Sequence, residues 1–587
     1  MAGMKTLQTS KRKILTERNK LLLLSLVVGI AAGLAAVFLT SAIGFVKDLL
    51  AGRPGERFYW RLLILPGVGM FISLLLLHFV IRDNIGHGVT KALLAVSRNE
   101  SKIKPHNMWS SLLTSSITIG FGGSVGAEAP IVYTGAAIGS NLGRWANMSF
   151  RHITILLGCG AAAAVAGIFR APLAGVLFVM EILLFNVSMS TMLPLLLATV
   201  SATVVAYIFH GQTPMFECAI TPFSMGNIPF YIIMGVVMGI CSLYFKNTTL
   251  WLEDKISNKG NKWTRWMICA VGLGLLIFLF PPLYGEGYDL LQMLLNGNEA
   301  DVERGTLMTF LFSSPWGVPV FFLLVFLLKV VAMTFTNAGG GVGGTFGPTL
   351  FAGAIMGFVV SRIFNLAGAS VPEQNFVLAG MAALMAGVMQ APMTAIFLIA
   401  EISGGYELLI PLILTSTIAF GTTRLFDHYS IYTKRIAQSG DLLTHDNDQA
   451  VLTLLQTKNL VRDKYPRVNL NATLGEFVGT ITGSDAAVVA VLDSEGHFEG
   501  MIDIANARKY LFNTEEYESL HVYNIMEPAP AFISESEKME SVVEKFERTD
   551  AWRLPVVDSE RRYIGFISKS RILMAYRSEL KEINSED

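Results

Sequence analysis

Residues Leu21–Val46 form a run of 26 residues without a single charge. About 20 apolar residues suffice to carry a helix across the hydrocarbon core of a bilayer. The run is also too long for the core of a cleavable signal, so it is read as a span. Further uncharged stretches follow at Ile153–Phe169, Ile182–Phe216, Cys218–Phe245, Trp266–Gly285, Thr306–Leu328, Val330–Ser361, Gln374–Ala400 and Leu408–Thr423. Several are broken by Gly and Pro, which predicts tilted and interrupted helices. The last part of the chain is different. Residues 1–440 hold 29 basic and 19 acidic residues, whereas the final 147 hold 16 and 26. A soluble chain has about a quarter of its residues charged, so only the tail is built for water. The mean hydropathy of +0.51 over all 587 residues is positive because of the membrane part. These features exclude a wholly soluble enzyme and a disordered chain, and an acidic tail excludes a nucleic-acid partner.

Basic residues mark cytoplasmic segments. The cluster Lys5, Lys11, Arg12, Lys13, Arg18 and Lys20 places residues 1–20 in the cytoplasm, and the loop Glu253–Arg265 is read the same way. Cys159, Cys218, Cys241 and Cys269 sit in apolar surroundings without metal-ligand spacing and read as small buried hydrophobes.

The broken stretches repeat. Gly122-Gly-Ser-Val-Gly-Ala-Glu-Ala-Pro130 matches Gly340-Gly-Val-Gly-Gly-Thr-Phe-Gly-Pro348 at an offset of 218. Gly160–Ile182 then matches Gly380–Ile402 at an offset of 220, with nine identities that include Ala171-Pro172/Ala391-Pro392 and Glu181/Glu401. Two halves with matching interrupted helices, about 21–210 and 226–437, point to a transport site at the repeat interface. The tail, residues 440–587, repeats as well. Val491-Leu-Asp-Ser-Glu495 with Gly500-Met-Ile-Asp503 recurs as Val556-Val-Asp-Ser-Glu560 with Gly565-Phe-Ile-Ser568. Each copy reads as strand, turn, strand and helix (Asn506–Phe512, Arg571–Leu580), giving two α/β modules at about 458–513 and 522–582.

Irregular backbone at membrane depth is tolerated where it lines a cavity or is buried in protein. Gly122–Gly126 and Gly339–Gly344 are such segments, each running into a helix that Pro130 or Pro348 helps to start. The first turn of a helix offers unpaired N–H groups and partial positive charge, which suits an anion; close packing of helices through small residues is the alternative use. Glu128 favours the first. It is the one Asp, Glu, Lys or Arg between Lys104 and Arg144, and an ionisable group at that depth is a functional candidate. Its carboxylate is able to occupy the anion's place and to leave it when protonated, which makes it a gate.

With these motifs the chain resembles the CLC family of chloride channels and chloride/proton exchangers over nearly its whole length. Gly122–Pro130 is similar to the family's G-K/R-E-G-P element, Thr345-Phe-Gly-Pro348 to its G-x-F-x-P element, and Ala171-Pro-Leu-Ala-Gly175 to the start of its dimer-interface helix. Ser430-Ile-Tyr432 resembles the segment with the pore tyrosine, and the tail resembles a pair of CBS modules. The resemblance implies an all-α polytopic membrane protein with an inverted internal repeat (residues 21–439) plus a C-terminal α/β CBS pair. It further implies a homodimer with one pore per subunit in a cell (inner) membrane, both termini cytoplasmic. It assigns Glu128 as the gating glutamate and Tyr432 as a donor to the central anion, with the N–H groups of Thr345 and Phe346. The Ala127 and Glu128 N–H groups belong to an outer anion position. Gly126, Pro130, Gly344 and Pro348 supply the backbone motifs.

Two positions depart from the family pattern. Its G-S-G-I-P motif reads Gly86-His-Gly-Val-Thr90, so His87 stands where a serine helps hold the anion. An imidazole N–H also donates to an anion; a space-filling His beside Gly86 and Gly88 is the alternative. Chloride is the expected ion, with nitrate, bromide or another halide open and fluoride not favoured. At the second position Ile182 follows Glu181 where exchangers carry a proton-relaying carboxylate. Isoleucine holds no proton, so the expectation is a passive channel, gated by voltage or pH, with exchange through another inner route as the alternative. In the CBS pair, Asp503, Asn506 and Ser568 fit a nucleotide site in part, while Arg571 replaces the ribose acceptor. A structural tail without cofactor is expected, with an adenine nucleotide as the other candidate.

Two other classes fit the sequence less well. A divalent-cation transporter needs clustered oxygen ligands, but Glu128, Glu181 and Glu401 lie on separate segments. A membrane hydrolase needs a nucleophile with a base or a metal, and His78, His87, His106 and His152 have no such spacing. The chain is therefore not expected to be an enzyme or to bind a metal.

Overall fold

The computed structural model describes residues 17–50, 59–83, 85–98, 101–183, 189–216, 220–257, 260–297, 302, 306–438, 455, 457–484 and 486–584. Lys5, Lys11, Arg12, Lys13 and Cys218 lie outside them, as does the expected boundary near residue 440. The chain divides into two compact units, Met1–Leu443 and Thr444–Asp587.

The first half of the first unit holds α1 (Glu17–Leu50), α2 (Tyr59–Leu75), α3 (Gly88–Arg98) and α4 (Ser110–Gly120). It continues with α5 (Glu128–Trp145), α6 (Phe150–Phe169), α7 (Pro172–Ile182) and α8 (Met189–His210). The second half holds α9 (Ile228–Ser257), α10 (Lys262–Leu279), α11 (Tyr288–Leu295), α12 (Gly317–Ala338) and α13 (Phe346–Leu366). It closes with α14 (Glu373–Met389), α15 (Pro392–Ile402), α16 (Leu409–Phe426) and α17 (Ile431–Gln438). Among the described residues, 9 helical segments are long and apolar enough to cross a membrane, while α7, α14 and α15 are apolar but shorter.

The sequence repeat becomes a structural one. Helices in a bilayer gain little by hiding apolar surface from lipid, so close backbone approach through small residues drives their packing. Gly135 and Gly139 of α5 lie against the Gly160 and Leu156 carbonyls of α6, so closely that neither position has room for a Cβ. Gly353 and Gly357 of α13 lie against the Gly380 and Phe376 carbonyls of α14 in the same way. Each pair turns back through a left-handed residue, Arg170 (φ 58°) or Gln390 (φ 54°), into the Ala-Pro that opens α7 or α15.

The two short helices then cap each other. Glu181, near the end of α7, accepts from the Met393 and Thr394 N–H groups at the start of α15 (3.0 and 2.7 Å) and from Thr394 Oγ1 (2.7 Å). Glu401, near the end of α15, accepts from Leu173 and Ala174 at the start of α7 (3.1 and 2.9 Å). A carboxylate at a helix N-terminus meets both its free donors and its partial positive charge. These two glutamates therefore bind protein and are not shared ligands of a cation.

The second unit contains two three-stranded sheets of identical topology. β1 (Arg467–Asn469) pairs parallel with β2 (Val488–Leu492), which pairs antiparallel with β3 (Phe498–Asp503). β4 (Ile533–Ser534), β5 (Arg553–Val557) and β6 (Tyr563–Ser568) do the same. Even the register shift recurs, at Val491/Leu492 and Val556/Val557. In both turns an aspartate accepts from the backbone two and four residues on, Asp493 from Glu495 and His497 and Asp558 from Glu560 and Arg562, all at 2.8 Å. Asp493 also takes the His497 ring (2.9 Å), and this bond raises the imidazole's pKa above its ordinary value. The helices after β3 and β6 span Ile504–Leu511 and Lys569–Asn584. Both begin two residues before the expected starts, because Asp503 caps the first through the Ala505 N–H (2.9 Å) and Ser568 accepts from the Arg571 N–H (3.3 Å).

The reciprocal caps give a first prediction. Glu181→Ala and Glu401→Ala are each expected to cost about 1–2 kcal/mol, the range of a lost N-cap, and to lower the thermal midpoint in detergent by similar amounts. A mutant with an unmoved midpoint shows that its carboxylate does not hold the partner helix.

Candidate functional site

The two irregular Gly segments meet head to head. Each turns through a left-handed glycine, Gly122 (φ 96°) or Gly340 (φ 97°), a conformation that other residues rarely adopt. Gly126 then donates to the Gly344 carbonyl (3.1 Å) while Gly344 donates to that of Gly126 (2.7 Å). Two side-chain bonds reinforce the contact symmetrically. Ser124 N–H donates to Thr336 Oγ1 (3.1 Å), and Val342 N–H donates to Thr118 Oγ1 (3.0 Å). The first turns of α5 and α13 are thereby fixed beside each other, both buried.

Glu128 opens α5 and is 1% exposed. Its carboxylate leaves its own helix and crosses to the other repeat, where Oε2 accepts from the Gly347 N–H in the first turn of α13 (3.1 Å). Oε1 accepts from the hydroxyl of Tyr288, at the start of α11. A Cβ on Gly347 would lie 2.8 Å from Oε1 and 3.1 Å from Oε2, so only glycine lets the carboxylate seat itself. Ala127 N–H, the neighbouring donor, bonds Glu286 Oε1 (3.2 Å).

On the other side of α13's first turn, the Tyr432 hydroxyl accepts from Thr345 Oγ1 (3.4 Å), and Tyr432 is 2% exposed. Phe346 packs its ring on Phe169 and Phe178 and leaves its first-turn N–H to the site. Tyr432 is positioned by charge. Buried Lys246 of α9 bonds the Tyr429 carbonyl (2.7 Å) and Asp427 (3.2 Å), which also takes Lys434 (2.7 Å). One turn-pair further along α9, Glu253 receives Arg435 through two bonds (2.7 and 3.2 Å).

His87, with φ 53°, lies 3.7 Å from Glu253 through Nε2. Gly86, His87, Glu253 and Arg435 line a cavity of about 810 Å³ together with Arg82 and Asp83. The imidazole is thus turned to an ion pair at this cavity. Gly88 permits α3 to approach α5, since a Cβ there would stand 2.9 Å from that of Tyr133. Ile182 ends α7, buried and apolar. In the second unit, Asn506 donates to Glu527 (3.2 Å) and Ser568 lies 3.2 Å from Ser570 Oγ.

The structure brings together Ala127, Glu128, Thr345, Phe346 and Tyr432 around two helix N-termini, and adds Tyr288, Glu286 and Lys329, which sequence reading passed over. Tyr288 and Glu286 fall in Tyr284-Gly-Glu-Gly-Tyr288, a polar stretch that reads as an ordinary turn between spans. Lys329 was legible as the single charge dividing Thr306–Leu328 from Val330–Ser361.

Facing helix N-termini from an inverted repeat, with a carboxylate lodged between them, define an anion-transport site in a multi-pass membrane protein. The chain belongs to the voltage gated chloride channel family, whose family model matches residues 68–424; the CBS domain model matches residues 522–578. It is 27% identical over 465 residues to the H(+)/Cl(-) exchange transporter ClcA of Salmonella paratyphi B, covering 74% of this chain and 92% of the relative. The same-named protein of Citrobacter koseri is 26% identical over 467 residues, with the same shares covered. Among solved structures it is similar to a slow cyanobacterial Cl-/H+ antiporter (TM-score 0.62, 24% identity, 72% of this chain and 98% of that one). A eukaryotic CLC transporter aligns with 94% of this chain and 97% of its own (TM-score 0.57, 15% identity). Family membership makes the protein an anion transporter and not an enzyme.

The Tyr288 bond gives a second prediction. A hydrogen bond to a charged group is worth about 1.5–3 kcal/mol, so Tyr288→Phe is expected to release the Glu128 carboxylate and tighten chloride binding about tenfold or more, read by isothermal titration. Unchanged affinity means that Tyr288 does not hold the carboxylate in the anion's seat.

Proposed function

We propose that the protein exchanges chloride for protons, and that Glu128 is the group through which the two ions are linked. The observation that carries this reading is the seat of its carboxylate on the Gly347 N–H. A carboxylate and an anion compete for that donor, and protonation removes the charge that lets the carboxylate win. Chloride entry and proton uptake are then two sides of one equilibrium. Ile182 alone favours a passive channel. The relatives whose names state H(+)/Cl(-) exchange, aligned with 74% of the chain, favour exchange by a route that does not use position 182. We assign the inner proton step to the cavity that Asp83, His87 and Glu253 line.

Chloride is the proposed ion, held by Tyr432 and the N–H groups of Thr345 and Phe346, with bromide and nitrate as the ions to compare. His87 acts on it from the cavity. The proposed assembly is a homodimer with one pore per subunit, in an inner membrane with both termini cytoplasmic, supported by the family resemblance and by the basic loop Glu253–Arg265.

Reconstituted protein in chloride-loaded liposomes, with voltage clamped by valinomycin, tests the reading. Chloride efflux is expected to drive protons inward at a fixed ratio, and flux to rise as pH falls and Glu128 protonates. Glu128→Gln is expected to keep chloride flux and lose both proton movement and most pH dependence. Chloride efflux without proton movement in the wild type makes the protein a channel.

For the C-terminal pair we propose a structural part, since Asp503 and Asn506 already hold Ala505 and Glu527. Added ATP is expected to leave the thermal midpoint unmoved, and a saturable rise would make the unit a nucleotide sensor.

A further inference from the structure

The site contains a second carboxylate that the gating role of Glu128 does not use. Glu286 is 8% exposed, in the turn before α11. Its Oε1 takes the Ala127 N–H (3.2 Å), the donor that lies beside Glu128 in the chain. The turn is pinned from three sides. Gly285 donates to the Gly122 carbonyl (3.1 Å), which ties it to the irregular segment before α5. Lys329 of α12, wholly buried, donates to the Gly285 carbonyl (2.9 Å) and reaches that of Glu286 (3.5 Å), its ammonium also lying over the Phe351 ring. Lys47 of α1 stands against Gly285. The charged and titratable groups facing Glu286 are therefore Lys47 from α1, Glu128 from α5, Lys329 from α12, and Tyr288 and exposed Asp289 from α11.

Glu286 and Glu128 each hold a backbone donor at one of the two facing helix starts, Ala127 at the cap of α5 and Gly347 in the first turn of α13. In the same segment, Ser124 Oγ is fully buried and has no hydrogen-bond partner among the described residues, a spare donor three residues before Ala127. An ionised carboxylate on the Ala127 N–H excludes an anion from it by charge and by occupancy. Once neutral, the same group accepts more weakly and the donor is open. Buried Lys329 and half-buried Lys47 give the emptied position its positive potential.

We propose that Glu286 is a second, proton-dependent occupant of the anion pathway, which yields the Ala127 N–H to chloride when it is protonated, with Lys329 setting the charge it works against. The one covalent change is the O–H bond formed on Glu286 as it takes a proton from solution, and one anion enters with that proton. The inference rests on the reading of Ala127 as part of an anion position.

The test is chloride binding to the purified full-length protein by isothermal titration across a pH series, since each linked proton contributes up to about a tenfold change in affinity per pH unit. The wild type is expected to bind chloride more tightly as pH falls. Glu286→Gln is expected to reduce the slope of log Kd against pH by up to one and to tighten binding at neutral pH. Glu128→Gln is expected to remove its own share and to leave that of Glu286. Lys329→Met, which keeps the length and apolar stem of the side chain, is expected to move the Glu286 step to higher pH, and it reports on Glu286 even where Glu286→Gln fails to fold. A slope and midpoint unchanged from wild type in either folded variant overturn the proposal. The measurement reads equilibrium binding, whereas coupled flux decides exchange, so failure of one is distinguishable from failure of the other.

Discussion

Everything in the transport unit is arranged around a pair of backbone hydrogen bonds between Gly126 and Gly344. They join the irregular segments of the two inverted halves and leave the first turns of α5 and α13 side by side. Backbone donors aimed at a common point normally repel, because two helix N-termini present like partial charges. The halves pack regardless, since Gly135, Gly139, Gly353 and Gly357 draw each first-turn helix against its partner at backbone distance. The cost of bringing the two positive ends together is offset by whatever negative group sits between them. An anion site is thus a structural requirement of the fold as much as a functional one.

That requirement explains why carboxylates are found in the gap. Glu128 fills the donor of α13 and Glu286 that of α5. The same chemistry recurs one layer away, where Glu181 and Glu401 fill the N-termini of α15 and α7. The two pairs differ in what lies around them. Glu181 and Glu401 each accept two backbone bonds from one helix, an arrangement that has no competitor. Glu128 makes one backbone bond and one to Tyr288, a side chain from a short helix of another segment. Glu128 has as many donors as Glu401, but they come from two separate segments and not from one helix.

The repeat, the two Gly segments and Glu128 were legible from the sequence because a charge in an apolar run and a recurring Gly/Pro pattern are local signals. Tyr432 required the family resemblance, since its setting depends on Lys246 and Glu253, residues nearly two hundred positions away. Glu286 and Tyr288 were not legible at all. Their burial is created by the fold, which tucks the turn Tyr284–Tyr288 beneath Lys47 and Lys329, and nothing in the turn's composition announces membrane depth. His87 was legible as a departure from the pore motif, but its partner was not. The imidazole is beside Glu253, and the signal, a glutamate seven residues beyond buried Lys246 on one face of α9, becomes meaningful only when α17 is laid across it.

The same reasoning bears on Ile182. Reading a passive channel from that position treats coupling as the property of one relay residue. The proposed exchange puts it elsewhere, in the competition of the Glu128 carboxylate with an anion for the Gly347 N–H. A relay supplies protons to this competition from one side of the membrane, and any titratable group in contact with solution and with the pathway serves equally well. The side chain of residue 182 is buried at the end of α7, whereas Asp83, His87 and Glu253 face an open cavity. Under the proposed exchange, Ile182 closes one entrance and leaves the linkage in the seat that Glu128 and chloride would contest.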